Sequence, residues 1–227
     1  MIETRQQIET ALRGSFIFPL LGETDRDRFI ASAVSRSWSA GEPIFLMRDS
    51  GASMMLVQTG EVRISYPSAS GRTITLSELK PGAVFGEIAL IDGGERSADA
   101  IAATNCKLLV FERRVFISFL ESNWPLAEAL LKLVCGRLRN AGERVADLAF
   151  FDLPSRLAKE LLARARPDPA GGPLRVSDTQ SALAALIGGS RETVNRCLRN
   201  WEKGGLIALA EGRISLLDPK GLAQVIG

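Results

Sequence analysis

The chain predicts an α+β protein in three parts: an N-terminal β-roll of jelly-roll type, one long helix, and a C-terminal winged helix-turn-helix. Three observations carry that prediction. From Trp38 onward, short apolar runs alternate with turn signals at 39–43, 48–51, 59–61, 68–72, 80–82 and 92–94, the texture of many short strands. In Trp124–Phe150, the apolar positions Ala127, Leu131, Val134, Leu138, Ala141, Val145 and Leu148 recur at alternating spacings of four and three, the seam of a two-stranded coiled coil. Beyond residue 152, two short helical patterns meet at Gly188-Gly189 and are followed by a β-hairpin pattern, the order of a winged helix-turn-helix. The expected division is 1–122 for the roll, 123–151 for a dimerisation helix and 152–227 for the winged domain.

Composition narrows the function classes. The chain has 227 residues, 46% hydrophobic and 24% charged, which is ordinary for a globular protein. No apolar run approaches the roughly 20 residues of a membrane helix. The opening stretch is polar and carries Glu3, unlike a secretory signal, so a cytoplasmic protein with no membrane partner is expected. Cys106, Cys135 and Cys197 form no C-x-x-C pair; each reads as a small buried hydrophobe. There is no histidine, which excludes a Ser-His-Asp triad, a Cys-His pair, imidazole-bound zinc and histidine-bound haem. With no clustered carboxylate pair either, the expectation is no catalytic residue, no metal site and no enzyme. The net charge of +2 is uneven: 152–227 holds eleven basic against eight acidic residues, and 1–151 is slightly acidic. A basic C-terminal end points to nucleic acid.

Each element has its own signal. Ile2, Ile8 and Leu12 predict a short surface helix over 2–13, and Asp25–Val34 a second. Strands are expected at Ile44–Met47, Met54–Gln58, Val62–Tyr66, Thr73–Leu79 and Leu108–Phe111. Thr73-Ile74-Thr75-Leu76 alternates like a half-buried strand. Arg114–Leu120 predicts one or two helical turns. Pro125 suits the first turn of the long helix, which at about 1.5 Å per residue spans roughly 40 Å. Phe151–Pro154 reads as a break and hinge. Ser155–Arg166 resumes as helix, with Leu157, Leu161 and Leu162 on one face, and 166–173 is a loop by composition. Ser177 with Gln180 makes a capping-box pattern for a helix whose apolar side is Ala182, Leu183, Leu186 and Ile187. Ser190 caps the next helix, which runs to about Lys203 and buries Val194, Cys197 or Leu198, and Trp201. Leu206–Leu209 and Arg213–Leu217 flank an Ala210-Glu211-Gly212 turn.

Two constellations carry chemistry. With Val194, Cys197 or Leu198, and Trp201 turned inward, the opposite helix face presents Arg191, Glu192, Asn195, Arg196 and Arg199. Arginine forks onto guanine, glutamate accepts from the cytosine amino group, and asparagine pairs with adenine. Ser190, Arg191 and Glu192 lie at the N-terminal end that enters the major groove; Arg199 and Lys203 suit phosphates. Double-stranded DNA is therefore the expected partner. The second constellation is Phe85-Gly86-Glu87 followed by Arg96-Ser97. Arg96 can fork onto a phosphate, Ser97 adds a hydroxyl, and backbone N–H groups of a glycine turn favour an anion. Glu87 can accept from a ribose hydroxyl. The alternative is an internal Glu87–Arg96 ion pair with no ligand.

From about residue 20 to 217, the chain resembles the CRP/FNR superfamily of bacterial transcription regulators, and within it the cAMP receptor branch. Phe85-Gly86-Glu87 to Arg96-Ser97-Ala98 is similar to that family's phosphate-binding cassette. Ser190-Arg191-Glu192-Thr193-Val194-Asn195-Arg196 is similar to its recognition helix, and 145–152 to its end-of-helix hinge. The resemblance implies that Gly86, Glu87, Arg96 and Ser97 hold the sugar-phosphate of a cyclic nucleotide effector, with no covalent cofactor. It implies that Arg191, Glu192 and Arg196 read a GTGA-like half-site of a palindrome bound by a homodimer, and that 166–173 faces RNA polymerase. The chain departs from the pattern in two respects. The base-contacting Thr-Ser pair of the family is matched here by Ala141 and Gly142, which offer no side-chain hydrogen bond. That leaves open cAMP held differently, cGMP, a cyclic dinucleotide or another anion. Asn195 leaves one base of the half-site unassigned. Clustered cysteines and haem-binding histidine, used in other branches, are absent. The rival readings are a nucleotide-independent DNA-binding regulator and a nucleotide-binding module acting on a protein partner.

Overall fold

The structure, a computed structural model, describes residues 5–68, 73–169, 171–210 and 212–226. Contacts divide the chain into two compact units, 1–67 with 76–137, and 68–75 with 138–227.

The first unit opens with α1 (Arg5–Arg13), a 3-10 turn (Phe18–Leu20) and α2 (Glu23–Ser32). Strands follow: β1 (Val34–Trp38), β2 (Pro43–Phe45), β3 (Ser53–Thr59), β4 (Val62–Pro67), β5 (Thr73–Leu79) and β6 (Val84–Phe85). Then come α3 (Glu87–Asp92), β7 (Asp99–Ala102), β8 (Cys106–Glu112), α4 (Arg113–Ser122) and α5 (Trp124–Phe150), whose residues from Leu138 on belong to the second unit. Two four-stranded sheets result, ordered β1-β8-β3-β6 and β2-β7-β4-β5. β3 explains the arrangement. Its run Met54–Val57 is apolar throughout because both faces are covered. Met55 and Val57 join Val62, Phe85, Ala100, Ala102 and Leu108 in the core of the roll. Met54 and Leu56 share a second cluster with Phe111 of β8 and with Phe29, Phe116, Phe119 and Leu126 from the helices. Phe29 stacks on Phe111 with ring centroids 4.4 Å apart.

Several boundaries and faces differ from expectation. Val34 begins β1 rather than ending a helix. β1, β6 and β7 carry too few contiguous apolar residues to read alone; pairing forms them, as between Trp38 and Cys106. In β5 the buried residue is Thr75, at 1% exposure, while Leu76 is 40% exposed, so the alternation sits in the opposite phase. Cys135 is exposed, not buried, whereas Cys106 is buried. Burial pushes the Cys106 thiol pKa up, with Glu42 adding to it.

The second unit holds α6 (Leu153–Arg164), β9 (Leu174–Val176), α7 (Gln180–Ile187) and α8 (Arg191–Lys203). It ends with β10 (Ile207–Ala210), β11 (Arg213–Leu216) and α9 (Pro219–Gln224). The break before α6 lies at Phe151-Asp152, because Pro154 fits the helix's first turn and Asp152 caps it, accepting from Ser155 N at 2.9 Å. Those hydrogen bonds hold the Asp152 carboxyl below the usual range. α7 is capped by Thr179, which accepts from Ala182 N at 3.1 Å, and not by Ser177. Ala210 pairs with Arg213, so Ala210 belongs to the strand and not to the expected turn, whose Glu211 lies outside the described residues. β9 adds a third strand to the hairpin, in the order β10-β11-β9. Leu157, Leu161, Leu183, Ile187, Val194, Leu198 and Trp201 form one core with the wing's Ile207, Ile214 and Leu216.

Among the described residues no helix is long and apolar enough to cross a membrane.

Candidate functional site

The roll brings Gly86, Glu87 and Arg96 together. Gly86 sits at φ 80° and caps α3, so Glu87 begins a helix rather than lying in a turn. A side chain at position 86 would be doubly penalised: the left-handed backbone disfavours L residues, and a Cβ would lie 2.6 Å from Arg96 Nη1. Arg96 is 4% exposed. Its Nη1 donates to Gly86 O at 3.0 Å and its Nη2 to Ser53 Oγ at 3.1 Å. The guanidinium lies 4.1 Å from the Phe45 ring centroid, a cation–π contact. Its Nε is buried with no partner among the described residues. Burial pulls the Arg96 pKa below its ordinary value, opposed by Asp49 and Glu87.

Glu87 is fully buried, and its partner is not Arg96. Arg137 of α5 donates to Glu87 Oε1 and to Val84 O. Glu87 Oε2 has no partner among the described residues. A buried carboxylate oxygen and a buried guanidinium N–H, both unsatisfied, are costly unless something else binds them. A sugar hydroxyl suits the first, a phosphate oxygen the second. Ser97 is exposed in the bend between Arg96 and β7. Ala141 and Gly142 are exposed on the portion of α5 that belongs to the second unit.

Sequence reasoning missed Arg137, Ser53 and Phe45. Arg137 carried a signal, since it lies one helical turn before Ala141 and beside the seam residue Leu138. Ser53 and Phe45 carried none; only strand placement sets them against Arg96.

On the second unit, α8 has the expected two faces. Val194, Leu198 and Trp201 are buried, Cys197 half-buried, and Ser190, Arg191, Glu192, Asn195, Arg196 and Arg199 exposed. Burial raises the Cys197 thiol pKa, Arg196 opposing it. Ser190 caps the helix, accepting from Thr193 N at 3.1 Å. Arg191, Glu192 and Arg196 bond to no described side chain, so their donors and acceptors face solvent. Asn195 Oδ1 accepts from Gln180 Nε2 at 3.4 Å. Arg199 donates to Glu202 at 3.1 Å. Glu202 also accepts from Leu209 N, tying the helix to the wing.

Along α5, Leu131, Leu138, Val145, Leu148 and Phe150 are between 48% and 83% exposed. These side chains stand uncovered by the described residues, an apolar stripe of the kind that marks an interface.

A buried anion cradle on a β-roll, followed by a winged helix with a polar reading face, defines a ligand-sensing DNA-binding regulator. The comparisons bear this out. Residues 35–123 match the cyclic nucleotide-binding domain, and 155–225 match the Crp-like helix-turn-helix domain. The chain is similar to the CRP-like cAMP-activated global transcriptional regulator of Mycobacterium tuberculosis, 32% identical over 188 residues, covering 81% of this chain and 84% of that one. It is similar to the cyclic AMP receptor protein of Thermus thermophilus, 33% identical over 214 residues, covering 94% and 98%. A solved CRP/FNR-family regulator of Thermus thermophilus superposes with a TM-score of 0.64 at 31% identity, over 85% and 98% of the two chains. The chain belongs to the CRP/FNR family of transcription regulators.

Proposed function

We propose that the protein is a homodimeric, non-enzymatic regulator whose binding to a palindromic GTGA-like DNA site is set by a cyclic nucleotide held at Gly86, Glu87, Arg96 and Ser97. The observation that carries this is the pair of unsatisfied buried groups, Glu87 Oε2 and Arg96 Nε, in a chain whose α8 leaves Arg191, Glu192 and Arg196 free. The named activity of the mycobacterial and Thermus relatives, cAMP response, supports cAMP as the first ligand to try. Arg137 links the cradle to α5: it holds Glu87 from the helix that bears the exposed seam. Ligand bound at the cradle would therefore bias the paired α5 helices, with Ala141 on the seam and Gly142 beside it, and through Asp152 the two reading helices. These must lie about 34 Å apart to enter successive major grooves. A ligand moves that equilibrium only by its difference in affinity for the two states. Double-stranded DNA and a second copy of the chain are the partners, with RNA polymerase reached through 166–173, in the cytoplasm.

The test is anisotropy of a labelled palindrome with and without cAMP or cGMP. Tighter binding with one nucleotide is expected; equal affinity throughout removes the switch but leaves the DNA reading intact. A second reading has its own support. Ala141 and Gly142 bring no hydrogen-bonding group for a base, and Gly86 O and Ser53 Oγ already occupy two of the Arg96 donors. That favours a regulator that binds DNA without a nucleotide.

A further inference from the structure

Between β2 and β3, the Asp49 N–H donates to Leu46 O at 3.1 Å and closes a turn whose third residue is Arg48. Its φ is 74°, and among the described residues Arg48 is alone as a non-glycine at positive φ. That place in such a turn usually goes to glycine, because a Cβ is strained there. The same residues clasp the buried cation of the cradle. Arg48 N donates to Arg96 O, and Arg96 N donates to Asp49 O, both at 2.9 Å. Two residues thus oppose one, as in a β-bulge that opens with a left-handed residue. The strained residue is the hydrogen-bonded backbone neighbour of Arg96.

Nothing among the described residues repays the strain. The Arg48 side chain is exposed, and its guanidinium bonds to no described residue. The adjacent carboxylate is engaged elsewhere, Asp49 Oδ2 accepting from Leu46 N at 2.8 Å. Glycine would relieve the backbone and lose no contact. Strain kept without a structural return points to function.

We propose that Arg48 is a second phosphate-binding group at the mouth of the Arg96 cradle, suiting the site to a ligand with two phosphates, a cyclic dinucleotide, over a cyclic mononucleotide. This rests on the cyclic-nucleotide reading above. Arg96 lies deep, stacked on Phe45 and bonded to Gly86 and Ser53, and has donors left for one phosphate. Arg48 springs from the turn that pairs with Arg96, its guanidinium bonded to no described residue, and a guanidinium fork matches phosphate oxygens in water-exposed positions as well.

The experiment is calorimetry of the full chain with cyclic di-GMP and with cAMP, on the wild type and on Arg48→Gly. Thermal unfolding of the variant verifies its fold and should occur at or above the wild-type temperature. The wild type should bind cyclic di-GMP more tightly than cAMP. Arg48→Gly should weaken cyclic di-GMP about tenfold or more, the scale of a lost charged hydrogen bond, and cAMP less than about threefold. Unchanged cyclic di-GMP binding in the variant, or equal weakening of both nucleotides, overturns the assignment of Arg48. Wild-type binding of cAMP but not cyclic di-GMP overturns it while sparing the nucleotide reading. Binding of neither removes both.

Discussion

The Arg137–Glu87 pair offers the sharpest test of how the cradle is built. Replacing Arg137 by methionine keeps an apolar stem of similar length and removes the cation. Glu87 is fully buried, and Oε1 would join Oε2 in having no described partner. Stripping one member from a buried pair costs about 3–5 kcal/mol, whereas exposed pairs contribute about 0–1 kcal/mol. The Arg137 side chain is 33% exposed, so water screens one end, and an intermediate loss of about 2 kcal/mol is expected. With a urea dependence of about 2 kcal/mol per molar, the unfolding midpoint should fall by about 1 M. Trp38 and Trp124 both lie in the first unit and report its unfolding by fluorescence. The double variant Arg137→Met with Glu87→Gln should regain more than half of the loss, since a neutral amide needs no counter-charge. A midpoint within about 0.2 M of wild type, or no recovery in the double variant, would show that Glu87 does not depend on Arg137.

Other outcomes follow from the same geometry. Leu138→Glu with Val145→Glu places charge on two exposed seam positions; the protein should sediment as a single chain with unchanged circular dichroism, and an intact dimer would refute the seam. Arg191→Ala should cost about 1–3 kcal/mol at one base position, read from competition among half-site variants; uniform weakening across sequences would make Arg191 a phosphate contact. Asp152 titrates below its ordinary value of about 3.9, so its contribution is present above that pH and fades as pH falls through the depressed folded value. Asp152→Asn, which preserves the capping oxygen, should therefore differ from wild type near neutral pH and converge with it in acid. A gap in urea midpoint that is constant from pH 7 to about pH 3 would contradict the lowered pKa.

Periodicity made the long helix legible to the residue, because seven seam positions repeat over 27 residues and no competing pattern interrupts them. The recognition helix was equally plain, since a serine cap, a three-residue core and a glycine stop all agree. The cradle was legible only in part. Gly86, Glu87, Arg96 and Ser97 stood out by residue type and spacing, but the partner of Glu87 was misjudged: the pairing that competes with a ligand is with Arg137, fifty positions away.

What sequence alone determined, then, is what local rules govern: helix periods, the Ser190 cap, the glycine stops, and the absence of histidine chemistry. What only tertiary structure decided is what depends on which strands lie side by side. The phase of β5, the stacking of Phe45 on Arg96 and the bulge that strains Arg48 all arise from pairings between distant segments. Short strands carry too little local preference to specify such pairings; burial of both faces of β3 selects them.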